Sequence, residues 1–254
     1  MAFPTTIFGK LKDVYKTSAT KVLPLGTRMV LPDGRVFRYA KNDSTELAKG
    51  KLCATCSQNA GDVIDMVLDA AIPVGDVSTV GVDKVSSVDW AADDFKEGYL
   101  YVNDAAGEGQ IWQVKASAAC GTSSGAAATI TVEPESYCVT ALTSSASKMG
   151  IVKNIYDDVR VKPALDGDTL LGVPVGVPIV TIAASRYFWI QTWGPCPVLT
   201  VGTLRVAEQA GIGTSTSGAV GAMGPTTGEA ASYGRTIVLE ATTDYSLIFL
   251  TIAP

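Results

Sequence analysis

Apolar and polar residues along this chain trade places in steps of two, in short runs closed by Gly, Pro, Asn or Asp, with almost no helical periodicity. A period of two puts alternate side chains on opposite faces of a strand, so the pattern predicts an all-β chain. Residues 28–40 show it most clearly. Met29 and Leu31 alternate with Arg28 and Val30, and Val36 and Arg38 with Phe37 and Tyr39, on either side of Pro32-Asp-Gly34. Pro suits the second position of a type I turn, Asp the third, and Gly the left-handed position after it. The result is a β-hairpin with a three-residue connection. Strands at 98–103 and 109–115, joined across 104–108, form a second expected hairpin. Shorter strands are expected at 51–56, 63–71, 77–88 and 128–133, and again at 151–156, 159–162, 173–182, 198–206, 235–241 and 245–252. Residues 8–15 and 45–49 each suit a short helical turn.

The largest side chains gather in residues 185–197. One face of the strand expected at 186–193 carries Tyr187, Trp189, Gln191 and Trp193, and the other Phe188, Ile190 and Thr192. A strand that is bulky on both faces is normally covered on both, in the middle of a sheet or at an interface. Gly194-Pro195 and Pro197 are expected to stop it sharply. Residues 245–252 are likewise apolar on both faces and make a natural neighbour.

These elements predict a β-sandwich or β-barrel-like core in three parts. Residues 1–24 form an extended N-terminal arm, residues 25–60 plus 150–254 a main β-domain, and residues 61–149 an inserted β-subdomain. The arm scatters Phe3, Ile7, Phe8, Leu11, Val14 and Tyr15 among Lys and Thr. It reads either as a strap laid on another surface, reaching roughly 70 Å at about 3.3 Å per residue, or as a frayed end. Residues 211–234 are rich in Gly, Ala, Ser and Thr and read as a long loop.

Composition narrows the function. Of 254 residues, 47% are hydrophobic and only 18% charged, which favours a chain that buries surface against partners. A net charge of −5 without a Lys/Arg cluster argues against nucleic-acid binding. The apolar run at 170–184 is too short for a membrane span and is broken by Pro174 and Pro178. The N-terminus lacks the apolar core of a secretory leader, so synthesis in a cytoplasm is the expectation. There is no histidine, which removes the commonest general base, every His-dependent triad and His-rich zinc sites.

The remaining motifs suggest little chemistry. Cys53-x-x-Cys56 is followed by Ser-Gln-Asn-Ala-Gly, which breaks the helix that a redox pair needs, and Cys120, Cys138 and Cys196 are not spaced to complete a zinc site. Asp93-Asp94, Asp157-Asp158 and Asp166-Gly-Asp168 lack a full cation loop and read as turns. Gly107-x-Gly109 has no third glycine and no following helix. Tyr99, Tyr101 and Trp112 could form a sugar-binding surface, though packing is the commoner use of such rings. The expectation is therefore no catalytic residue, no cofactor and no metal.

Several stretches in order, Leu25-Gly-Thr-Arg28 with Leu31-Pro-Asp-Gly-Arg-Val-Phe-Arg-Tyr-Ala40, residues 98–110, Val152-Lys-Asn-Ile-Tyr-Asp157, Val175-Gly-Val177, residues 187–195 and Leu247-Ile-Phe-Leu-Thr-Ile252, carry a resemblance. Together they resemble a family of tailed-bacteriophage structural proteins, found among environmental and cyanobacterial phages and taken to be head decoration, or cement, proteins. The resemblance implies a non-enzymatic protein on the outer surface of a capsid, made in the host cytoplasm. Its partners would be the major capsid protein and itself, as a trimer, with no nucleic acid and no membrane. The structural or interface candidates are Phe3, Ile7, Phe8, Tyr99, Tyr101, Trp112, Tyr187, Trp189 and Trp193, with Trp189 and Trp193 in the core or at a subunit contact. The alternatives are a phage tail or glycan-binding β-module and a carbohydrate-binding protein unrelated to phage.

Overall fold

The computed structural model describes residues 5–56, 63–85, 89–144, 146–162, 172–202, 204–212, 216–222, 232–241 and 243–254. Phe3, the Asp166 and Asp168 pair, and much of the loop at 211–234 lie outside them. The described chain is all-β apart from a short 3-10 turn at Asp13–Tyr15. It divides into two compact units, residues 1–57 with 155–254, and residues 58–154.

The first unit is one sheet, eleven-stranded among the described residues. Its main path runs Thr6–Phe8, Arg28–Val30, Val36–Lys41, Tyr187–Leu199, Tyr245–Thr251, Gly234–Val238, Gln209–Ile212, Val220–Ala222. Pro174–Pro178 pairs with the long strand and with Cys53–Ala54, which in turn pairs with Arg160–Val161. The hairpin at 28–41 forms as its turn residues dictate. Gly34 donates its N–H to Leu31 O at 3.0 Å with φ +84, and Leu31 N–H to Arg35 O closes the strands. The described part of the arm lies along this sheet. Thr6–Phe8 runs parallel to Arg28–Val30, and Ser18 exchanges hydrogen bonds with Tyr187.

The Tyr187–Leu199 strand is central. Phe188 and Ile190 pack on one face with Ala40, Leu47, Val159, Val175 and Ile182. Trp189 packs on the other with Val14, Met29, Leu31, Phe37 and Tyr39. Two covered faces are what its bulky alternation requires.

Contrary to expectation, Gly194-Pro195 and Pro197 do not end this strand. The Val36–Lys41 neighbour stops opposite Trp193, after a register shift, while Tyr245–Thr251 pairs the opposite edge from Trp193 to Leu199. Residues 195, 197 and 199 point their nitrogens to the edge that Val36–Lys41 has left, and there Leu199 donates to Gly50 O at 2.8 Å. The prolines therefore forfeit no ladder hydrogen bond. Gly194 takes φ +91 at the irregularity, a conformation that glycine adopts without strain. The strand expected at 198–206 is likewise only the end of this one.

The second unit is a closed six-stranded barrel, in the order Ala127–Val132, Thr79–Asp83, Met66–Leu68, Lys148–Val152, Tyr99–Asp104, Ile111–Ser117. Closure leaves the barrel without an edge strand. Met66, Leu68, Val80, Val82, Leu100, Val102, Trp112, Val114, Ile130, Met149 and Ile151 belong to its buried core. Trp90 and Phe95 join that core edge to face at 5.4 Å, with Trp90 Nε1 donating to Ala118 O. Outside, the ring of Tyr101 lies across Gly150, where a Cβ would collide with it. A glycine is needed there for the aromatic ring to lie flat on the neighbouring strand.

Candidate functional site

Strand alternation decides which aromatic residues can meet a partner. Tyr99, 44% exposed, and Tyr101 point outward from the barrel, and Ile111 stands exposed opposite Tyr101. Trp112 is opposite Leu100 and points inward, 5% exposed, its Nε1 donating to Tyr137 O at 2.9 Å. For Trp112 the structure shows the commoner of the two expected uses, packing. Trp112 is a core residue, and no three-ring platform with Tyr99 and Tyr101 exists, because residues one position apart in register face opposite sides of a sheet.

In the first unit, Trp189 is a core residue, 7% exposed, with Tyr39 edge to face at 5.2 Å. Tyr187 stacks on Tyr39 at 5.9 Å, and Trp193 meets Phe249 edge to face at 5.6 Å. Ile7 packs against the cluster around Trp189. Phe8, the next residue, faces away and is 88% exposed. Beyond it, Leu11, Tyr15 and Val22 are exposed too, and Lys10, Lys12, Lys16 and Lys21 lie between them. Leu11, Tyr15 and Val22 are not among the residues that the sequence marks for contact. The arm's lack of periodicity gives no sign of which apolar side chains a sheet will cover.

Tyr15 also lines a groove of about 410 Å³ with Arg35, Lys49, Ile179, Pro197 and Tyr245. Tyr245 donates its hydroxyl to Lys49 O at 3.3 Å, and Arg35 pairs with Asp33 at 2.8 Å. The groove is an apolar floor with a basic rim.

A second, polar hollow of about 420 Å³ is lined by Lys41, Asn42, Ser44, Cys56, Asp158 and Arg160 among others. Asn42 is fully buried and ties the wall together, donating to Thr45 O and Ala183 O and accepting from the Arg186 N–H. Lys41 sits 3.5 Å from Asp157 and 3.7 Å from Asp158. Burial pulls its pKa down, but the two carboxylates outweigh it, and the amine is held above its ordinary value. Lys41 is thus a charged partner and not a nucleophile.

The cysteines are placed for packing. Cys53, Cys120, Cys138 and Cys196 are buried, and none of the five forms a disulfide. Burial drives the Cys53 thiol far above its ordinary value and the Cys196 thiol up to about 12. Neither reaches the thiolate near neutral pH. Among the described residues, no group of three or more Cys, Asp or Glu converges as metal ligands would, and no helix is long and apolar enough to cross a membrane.

Opposite charges are segregated. Residues 1–22 hold four lysines and one aspartate, a net +3. The barrel unit, residues 58–154, holds thirteen Asp and Glu against five Lys and no Arg, a net −8, and the rest of the chain balances. Part of the barrel's acidity surrounds exposed apolar groups. The Gln110 amide accepts from the Val139 N–H at 2.7 Å and donates to Thr140 O at 2.9 Å, so the 104–111 hairpin end is joined to residues 137–140. Ile111, Tyr137 and Val139 are 58%, 53% and 69% exposed there, with exposed Asp104, Glu108, Glu135 and Asp76 nearby in the chain or paired strand.

No protein-family model matches this chain, and neither does any curated protein or any solved structure.

Proposed function

We propose that this chain is a structural protein of a tailed-phage head, bound to the outer surface of the major capsid protein shell and reinforcing it. The observation that carries the reading is the exposure of Phe8, Leu11, Tyr15 and Val22 on a chain of low charge density. Large apolar groups at the surface of a protein with few charges fit permanent burial against a partner, which is what a cement protein requires. The sheet suits mechanical duty as well. Its central strand is packed on both faces, and the barrel offers no edge strand to peel. A glycan-binding reading keeps Tyr99 and Tyr101 but loses Trp112 to the core.

Quantitative mass spectrometry of purified particles, with the protein located in density maps of the head, tests this. The reading expects copy numbers comparable to a fixed fraction of the capsid subunits and density outside the shell. A few copies per particle, or density confined below the neck, overturns it.

A further inference from the structure

We infer that the N-terminal stretch 8–22 of one copy docks on the barrel unit of a second copy, against the acidic, apolar-centred surface formed by the 104–111 hairpin end and residues 137–139. Phe8, Leu11, Tyr15 and Val22 are exposed among the described residues, so the sheet of their own unit does not cover them. Four lysines accompany them, and Lys49 at the adjoining groove extends the basic rim. The counterpart needs exposed apolar groups set among carboxylates. Ile111, Tyr137 and Val139 beside Asp104, Glu108, Glu135 and Asp76 have that composition, and the barrel unit carries the chain's entire net negative charge.

The electrostatics favour this pairing over like-to-like contacts. A twofold interface that set arm against arm would oppose +3 with +3, and barrel against barrel −8 with −8. Arm on barrel is the arrangement that complements, and each copy then offers one donor and one acceptor surface. Such head-to-tail contacts either close into a ring or propagate. Lys148 faces Asp104 across the strands and offsets part of the patch, leaving Glu108, Glu135 and Asp76 as the main anionic contribution. Apolar contacts supply affinity, and the rim charges supply orientation, association rate and salt dependence.

Self-association is read on the purified chain alone, and it makes the partner that covers Phe8, Leu11, Tyr15 and Val22 on the particle a neighbouring copy. The test is sedimentation velocity on the full chain across concentration, at low and high salt, with two charge-reversed variants. One carries Lys10→Glu with Lys12→Glu, and the other Glu108→Lys with Glu135→Lys. All four positions are exposed, so folding is expected to survive, and circular dichroism checks it. Wild type should self-associate, more weakly as salt rises. Each variant alone should weaken by about tenfold or more, since each sets like charges face to face. An equimolar mixture should recover assembly, because the acidic arm of the first meets the basic patch of the second, and the unaltered arm of the second meets the unaltered patch of the first. A wild type that stays monomeric at all concentrations, variants that associate like wild type, or a mixture no better than its components would each overturn the proposal. Loss of virion copies in the particle measurement, with self-association intact, would overturn only the head-protein reading.

Discussion

The side-chain amide of Gln191 donates to the main-chain carbonyl of Pro195, 2.9 Å away, within the strand that contains both residues. The same Nε2 lies 3.1 Å from Trp193 O and 3.3 Å from Gly194 O. Gln191 is fully buried, so this one polar group serves main-chain acceptors at the point where the sheet's register shifts and a neighbouring strand ends. Buried carbonyls without a donor are costly, and the long strand continues past Gly194-Pro195 partly because Gln191 supplies one.

Gln191→Leu keeps approximate volume but removes the donor. It should lower unfolding stability by about 1–3 kcal/mol, read from the urea midpoint at constant slope. A loss below about 0.5 kcal/mol would mean that those carbonyls find other partners and that Gln191 is incidental to the strand's length.

Trp189 and Trp193 lie four residues apart on the same strand but should respond very differently. Trp189→Ala empties a site enclosed by Met29, Leu31, Phe37 and Tyr39 and should cost about 3–5 kcal/mol. Trp193 is only partly buried and meets chiefly Phe249, so Trp193→Ala should cost about 1–2 kcal/mol. Equal costs in thermal or urea unfolding would contradict the placement of the two rings.

Thiol accessibility gives an independent check on the packing. Cys56 is half-buried, and the other four cysteines are buried with thiols raised by desolvation. Native protein treated with an aromatic disulfide reagent at pH 8 should therefore release about one equivalent quickly. The remainder should react about a hundredfold more slowly, until denaturant is added. Two or more fast equivalents in the native state would show that a second thiol is open to solvent, against the burial of Cys53, Cys120, Cys138 and Cys196.

On the barrel's outer wall, Asp69 and Asp83 are diagonal neighbours across adjacent strands. Asp69 is exposed, but partial loss of water contact against the strand first, then the Asp83 charge and a hydrogen bond to Asp83, raise its carboxyl above its ordinary value. A carboxyl raised on folding binds protons more readily in the folded state, so its ionised form destabilises at neutral pH. That cost fades as pH falls through the raised folded value toward the ordinary carboxylate range. Asp69→Asn should stabilise the protein at pH 7 by about 0.2–0.5 kcal/mol, as expected for a solvent-screened like-charge pair, with the gain shrinking on acidification. A constant gain from pH 7 to pH 4, or a loss at pH 7, would refute the repulsion.

Much of the architecture was legible from local chemistry. Pro32-Asp-Gly34 between alternating flanks could form little but a hairpin, because turn geometry is set by the φ preferences of those three residues. Bulky groups on both faces of 187–193 required a strand covered on both sides, since leaving either face in water would forfeit the burial that drives folding. What stayed hidden depended on pairing between distant segments. That Pro195 and Pro197 fit inside a strand follows from where Val36–Lys41 happens to stop, which no window around the prolines contains. That Trp112 faces inward while Tyr99 and Tyr101 face outward follows from the register Leu100 to Trp112 and from the closure of the barrel, and a shift of one residue would have reversed both. The charges were all countable from the start. Their sorting into a basic arm and an acidic barrel emerged only when long-range strand pairing drew the boundaries at residues 57 and 154.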